Sequence, residues 1–168
     1  MSNLSKGRLL AVGCLALLCA TAVEAVAGDE SGNPKAASAE LHDAQGNSLG
    51  TVRFLPRGDG KVVVRAEAGL IPQGFHGFHV HSIGICEAPF TSAGGHFNSG
   101  GATHGSHAGD MPSLRVDGDG NAYLEFETDA FTVDDLLDED GSAVIVHAGP
   151  DNFANIPARY TSGGVPGP

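Results

Sequence analysis

Positive charge is scarce in this chain of 168 residues: nine Lys and Arg stand against twenty Asp and Glu, a formal net charge of −11. Between Arg65 and Arg115 there is no basic side chain other than histidine. Such a chain is not a non-specific nucleic-acid binder, which replaces phosphate counterions with clustered Lys and Arg. Nor does it suit a peripheral protein of anionic membranes. Tryptophan is absent, charged residues make up only 17%, and cysteine occurs three times. No apolar run reaches the roughly 20 residues that span a bilayer, and no 3.6-residue periodicity supports a long helix. The length suits one domain with a real core, and 41% apolar content argues against a disordered chain.

What is present starts with an address. Lys6 and Arg8 precede an apolar run over residues 9–20, and Ala25-Val26-Ala27 follows as a small-x-small cleavage signature. The run is about a dozen residues long, which suits a secretory signal peptide cut after Ala27, with a retained anchor as the alternative. A lipoprotein signal fits less well, because the stretch before Cys14 is brief and Leu18 before Cys19 is large. Cleavage removes Lys6, Arg8 and Glu24, so seven basic and nineteen acidic residues remain. It also leaves Cys86 as the single cysteine of an exported chain, where disulfides form readily. Residues 28–38 read as a disordered leader and 39–168 as one domain. The expected location is extracytoplasmic, in the periplasm or cell envelope, with no membrane insertion after cleavage.

The body reads as short strands separated by turns. They are expected at 40–42, 49–55, 62–68, 76–81, 114–116, 122–127 and 142–147. Along 62–68, Val62, Val64 and Ala66 alternate with Val63, Arg65 and Glu67, the period of a half-buried strand. Gly58-Asp59-Gly60 and Gly118-Asp119-Gly120 supply reversals. About seven strands at this spacing predict an all-β antiparallel sandwich or barrel with long loops. One helical turn is expected over 132–137, with Thr132 as cap and Leu136-Leu137 packing down. Asp117-Gly118-Asp119-Gly120-Asn121 superficially suggests a calcium loop. An EF-hand would need Gly and Glu where this chain has Ala122 and Thr128, so a hairpin turn explains it better.

Eight histidines are present, and seven lie between positions 76 and 147. His79 and His81 are two apart on an expected strand, so their rings share a face while Val80 enters the opposite layer. His96, His104, His107 and Asp110 fall within 15 glycine-rich positions that can fold back on themselves. Three imidazoles and a carboxylate suit a closed tetrahedral zinc site. His147 ends an apolar strand. The surplus of imidazoles over one zinc site suits copper, and His96, the first loop ligand, is the natural bridge between two metals.

Together, Gly74-Phe75-His76-Gly77-Phe78-His79-Val80-His81, Ser92-Ala93-Gly94-Gly95-His96-Phe97-Asn98, His107-Ala108-Gly109-Asp110 and Val146-His147-Ala148-Gly149 closely resemble the Cu,Zn superoxide dismutases, specifically the secreted bacterial type. The resemblance runs from about residue 39 to the end of the chain. It implies a Greek-key β-barrel, copper on His79, His81, His96 and His147, and zinc on His96, His104, His107 and Asp110. His96 would be the catalytic bridging imidazolate. Asp151 would link a copper-side to a zinc-side histidine, as an outer carboxylate that fixes ring orientation, and His76 would be structural. The implied substrate is superoxide, converted to dioxygen and hydrogen peroxide by Cu(II)/Cu(I) cycling. A homodimer stays open, because strand patterns do not reveal dimer surfaces.

Members of that family continue past the segment matched by residues 152–168, to an active-site Arg, a Cys that bonds the counterpart of Cys86, and a final strand. None of the three is found before Pro168. The expectation is therefore a barrel with its last strand missing and an open edge, and a Cys86 without its intrachain partner. A dismutase-like copper- and zinc-binding protein with little turnover is the alternative function. A mononuclear zinc hydrolase ranks last, because the loop ligand set is closed.

Overall fold

The computed structural model describes residues 36–152, together with the backbone of residues 18–20 and 24–25. In chain order the strands are β1 (Leu18–Ala20), β2 (Glu24–Ala25), β3 (Ala37–His42), β4 (Ser48–Pro56), β5 (Val62–Ala68), β6 (Gly74–His76), β7 (Phe78–His81), β8 (Leu114–Val116), β9 (Ala122–Thr128) and β10 (Ala143–Val146). Single 3₁₀ turns lie at Thr91–Ala93 and Asp134–Leu137. The strands form one antiparallel sheet in the order β6-β8-β9-β5-β4-β3-β1-β10-β7, with β2 on β3. Its two ends, β6 and β7, do not pair, so the barrel is not closed. Among the described residues no helix is long and apolar enough to cross a membrane.

Alternation builds the regular half of the sheet. Along β5, Val62, Val64 and Ala66 are buried while Val63, Arg65 and Glu67 point outward. Seven residues of β5 face seven of β9, with Val64 opposite Phe126 and Arg65 opposite Glu125. Inward residues of β3, β4 and β7 add Leu41, Val52, Phe54, Phe78 and Val80, all without solvent exposure. Each such side chain contributes roughly 1.5–3 kcal/mol of burial free energy. Phe131 closes over them, edge-on to Phe54 at 6.0 Å between ring centroids. The unbroken apolar sequence of β10 has a different cause: both of its faces are covered. Val144 and Val146 join the main core, whereas Ala143 and Ile145 pack with Phe90 and Ala93 beneath the loop that carries Cys86.

The turns follow the expected chemistry. Asp117 accepts hydrogen bonds at Oδ1 from the amides of Asp119 and Asn121, and its own N–H reaches the Asn121 carbonyl at 2.8 Å, so the segment is a hairpin. The Thr132 hydroxyl accepts from the Asp135 amide, and the Asp135 carboxylate accepts from the Thr132 N–H, a reciprocal cap that lets Leu136 sink into the core.

Several expectations differ from the structure. The strand expected over 76–81 is two strands. At Gly77 the chain leaves β8 for β10, with the Gly77 N–H bonded to the Gly149 carbonyl and the Gly77 carbonyl to the His147 N–H. The leader expected to reach residue 38 gives way earlier, since Ala37 and Ser38 already pair with Phe54 and Arg53 in β3. The remaining leader, the cleavage site and the segment after Asn152 lie outside the described residues. The expected open barrel is found, its unpaired ends being β6 and β7, while β1 is hydrogen-bonded to both β3 and β10. Cys86 is disulfide-bonded, whereas the sequence reading left it without an intrachain partner.

Candidate metal centre

The pair His79/His81 is fixed by β7, whose residues pair with β10 in the register His79↔Ile145 and His81↔Ala143. His147 follows directly on β10, so three rings meet at one end of two adjacent strands. Gly77 permits the approach: a Cβ there would lie 3.1 Å from His79 Cε1 and 3.3 Å from His147 Cδ2.

The loop carrying the other ligands is sewn to the free edge of β7 by its backbone. Phe97 N–H reaches the Val80 carbonyl at 2.8 Å, Val80 N–H the Gly109 carbonyl at 2.9 Å, and Gly109 N–H the Phe97 carbonyl at 2.8 Å. Met111 N–H and Ser82 N–H add bonds to Phe78 and Gly95. These contacts set His79 opposite Asp110 and His81 opposite His96. Close approach requires glycine at 109, where a Cβ would stand 2.4 Å from the Val80 carbonyl oxygen.

Two tetrads result: His79, His81, His96 and His147, and His96, His104, His107 and Asp110. In each, one ligand atom per residue lies within 4.8 Å of every other, and His96 belongs to both. The His96 ring stacks on His79 at 4.0 Å and stands edge-on to His81, His104 and His107. Asp110 Oδ1 gathers three Nδ1 atoms, at 2.7 Å from His96, 3.5 Å from His107 and 3.7 Å from His104. Its Oδ2 is held by the amides of Gly105 and His107. Asp151, in the loop after β10, accepts from Nε2 of His79 at 2.5 Å and Nε2 of His104 at 2.8 Å. One carboxylate thus joins the two tetrads. His81 Nδ1–H donates to the Gly94 carbonyl.

The fit to metal can be tested from the ring atoms left over. His79 Nδ1, His81 Nε2, His104 Nδ1 and His147 Nε2 are buried and have no hydrogen-bond partner. In His79 and His104, Asp151 holds the proton on Nε2, so Nδ1 presents a lone pair; in His81 the Gly94 carbonyl does the same for Nε2. Buried acceptors facing one another without donors are costly, and a shared cation removes the cost. His107 Nδ1 lies 3.4 Å from His96 Nδ1, whose own hydrogen bond runs to Asp110 Oδ1 at 2.7 Å. Nitrogen-rich sets with a single carboxylate suit copper and zinc.

Burial favours the neutral ring at His79, His81, His96 and His147. Burial is the largest cause in each case and pushes His79 and His147 down to about 3 and His81 to about 4; neighbouring imidazoles add to it, and at His81 the hydrogen bond to the Gly94 carbonyl opposes it. His96 is lowered mainly by burial, against the pull of Asp110. Burial acts to raise Asp110, but hydrogen bonds from His96 and the His107 amide outweigh it and leave the carboxyl below its ordinary value. Neutral imidazole and ionised carboxylate are the ligand forms.

All seven residues expected as ligands converge, and Asp151 bonds one ring of each tetrad. His76 stands aside: its ring lies between the His147 and Pro72 carbonyls, 2.7 and 2.8 Å away, tying β6 to the end of β10. Cys86 is remote from the tetrads, against the small apolar cluster under β10. Sequence reasoning missed the carbonyl of Gly94 and the close packing at Gly109, because backbone partners leave no residue-type signal. His42, half-buried on β3, lies 3.3 Å from the Glu40 carboxylate and takes no part.

Residues 48–167 match the family model described as copper/zinc superoxide dismutase. The Cu-Zn superoxide dismutase of Mycobacterium tuberculosis is 42% identical over 155 residues, covering 83% of this chain and 65% of that protein. The chain thus spans slightly less than two thirds of that relative's length. A Cu-Zn superoxide dismutase of Aquifex aeolicus is 34% identical, over 73% of this chain and 78% of its own. A superoxide dismutase-like protein from Bacillus subtilis superposes with a TM-score of 0.64 at 31% identity, over 71% of this chain and 88% of its own. By its sequence, its fold and the two histidine tetrads that share His96, the chain belongs to the copper/zinc superoxide dismutase family.

Proposed function

We propose that the chain is an exported superoxide dismutase that converts two superoxide anions and two protons into dioxygen and hydrogen peroxide. His79, His81, His96 and His147 would hold copper; His96, His104, His107 and Asp110 would hold zinc. The observation that carries this reading is the sharing of His96 between two otherwise separate ligand sets. Copper supplies the one-electron couple and zinc the charge that tunes the shared ring.

The chain's own groups divide the remaining work. His96 Nδ1 faces Asp110 and His107, so Nε2 is the atom where this ring holds and delivers a proton. His79 and His104 do not serve that purpose, because each keeps its proton on Nε2 against Asp151. Asp110 and Asp151 fix the rings so that little rearrangement accompanies proton movement. Burial of His79, His81, His96 and His147 disfavours competing protonation of those rings.

Metal content and superoxide consumption measured on one purified sample test the proposal. The expected result is one copper and one zinc per chain, with activity lost to chelators. A second reading, a dismutase-like metal-binding protein with little turnover, is favoured by the distribution of charge. Asp134, Asp135, Asp138 and Asp140 line a groove with Ser82, Phe97 and Asn98, and no Lys or Arg occurs between Arg65 and Arg115. Negative charge there slows an anionic substrate. Both metals bound with no superoxide consumption would establish this second reading.

Export rests on the N-terminal basic pair, the apolar run and Ala25-Val26-Ala27. Cell fractionation checks it, with the protein expected in the periplasm or cell envelope and a cytoplasmic pool counting against it.

A further inference from the structure

His96 and His104 serve the same tetrad, yet residues 97–103 separate them, Gly100 and Gly101 included. A stretch of this composition has much backbone freedom to lose. Its near end is fixed: Phe97 N–H bonds the Val80 carbonyl of β7, and the Phe97 carbonyl accepts from Gly109 N–H. Its far end carries His104 and lies on no strand.

The Asn98 side chain closes this gap. Its Oδ1 accepts the Ala102 N–H at 2.9 Å, and its Nδ2 donates to the Ala102 carbonyl at 2.8 Å. A carboxamide carries an acceptor and a donor side by side, so it pairs with residue 102 as the peptide of a neighbouring strand would. Gly101 N–H adds a bond to the Asn98 carbonyl at 3.3 Å, and its φ of +65° makes the turn that this requires. Residues 98–102 thus form a closed ring that follows directly on the sheet-bound Phe97. Only Thr103 separates the ring from His104. On the other side of His104, the Gly105 N–H bonds Asp110 Oδ2 at 2.7 Å and the Ser106 N–H bonds the Thr103 carbonyl at 3.0 Å.

We propose that Asn98 is a positioning residue for zinc. Both of its side-chain bonds go to Ala102 and neither to a ligand, so it acts by carrying the order of β7 across to residue 103. His104 is then held ready between Asp110 and Asp151. Shortening the free part of a loop lowers the entropy that an ion must remove on binding. His96 precedes Phe97 and lies outside the ring, and the remaining copper ligands are held by β7 and β10. The effect therefore falls on zinc. The inference rests on the assignment of zinc to His96, His104, His107 and Asp110.

The test uses the full chain, with zinc and copper affinities each read by competition with a chelator. Asn98→Ala is expected to weaken zinc roughly three- to ten-fold, the effect of about one net hydrogen bond, with copper unchanged. Ser99→Ala, the next residue in the loop, is expected to match the unaltered chain. With Co(II) as the probe in place of zinc, the visible absorption of the Asn98→Ala protein is expected to weaken as a loosened His104 gives way to water. Unchanged zinc affinity, an unchanged Co(II) spectrum, an equal loss of copper or an equal loss in Ser99→Ala overturns the proposal. No zinc uptake by the unaltered chain removes the assignment beneath it, whereas normal uptake that Asn98→Ala leaves intact removes the inference alone. Should the variant not fold, hydrogen exchange of the purified unaltered chain decides. Its Ala102 amide is expected to exchange roughly ten-fold more slowly than in an unstructured peptide of the same sequence, and equal rates overturn the ring.

Discussion

The two tetrads are built by different means. His79, His81 and His147 sit on β7 and at the end of β10, where strand pairing fixes their separation before any metal arrives. His104, His107 and Asp110 sit on a loop with no strand of its own, held by backbone bonds to β7 and within the loop itself and by the Asp110 carboxylate. His96 stands at the junction and belongs to both. Strand-borne ligands draw their order from the sheet, whereas loop-borne ligands draw a larger share of theirs from the ion they hold. The strand side is therefore expected to persist without metal, and the loop side to loosen.

His96→Ala breaks the comparison at its shared point and has the largest expected effect. Copper and zinc are both expected to be lost on purification, and superoxide consumption to fall to background. Loss of one metal alone would refute the bridging position. Metal analysis by mass spectrometry reads the result directly.

Acid acts on the strand side of the metal-free protein. His79 and His147 titrate near 3 and His81 near 4 when folded, against an ordinary 6.5, because burial disfavours the charged ring. The unfolded chain therefore binds protons first as pH falls below 6.5. Stability is flat above that value and declines from there toward the folded values. At pH 5 the loss is on the order of 2 kcal/mol for each of the three rings. Urea midpoints of the metal-free protein at pH 7.5 and pH 5 measure it. An unchanged midpoint would mean that these rings are not buried in the metal-free state.

Asp151→Asn sharpens the same contrast, because one carboxylate orients a ring in each tetrad. Loss of such an outer partner typically weakens metal binding 10–100-fold. Both copper and zinc affinities are expected to fall, zinc further, since His104 has no strand to hold it in place. Equal losses would show that the loop is as well ordered as the strands. Competition with a chelator gives the two affinities.

Much of this was legible in the residue pattern, for identifiable reasons. The two-residue spacing of His79 and His81 needs only a strand to bring the rings together, and the alternation along β5 reports which face is buried. The histidine and carboxylate density of residues 96–110 signals a ligand set whatever shape the loop takes. What escaped has no residue-type signature. The change of partner strand at Gly77, the Gly94 carbonyl that sets the His81 tautomer and the link between β3 and β10 are all made by backbone groups.

Gly109→Ala has the smallest expected effect and is confined to the loop side. An added Cβ would lie 2.4 Å from the Val80 carbonyl oxygen and 3.0 Å from Phe97 Cβ, so the loop must move away from β7. Overpacking of this kind costs about 1–3 kcal/mol. The displaced segment adjoins Asp110, so zinc is expected to dissociate faster while copper, held mostly from the strands, is retained. Residual zinc and copper after dialysis against a weak chelator distinguish the two. Equal loss of both would show that the position of His96 depends on the same loop contacts, and that the strand side is not independent of them.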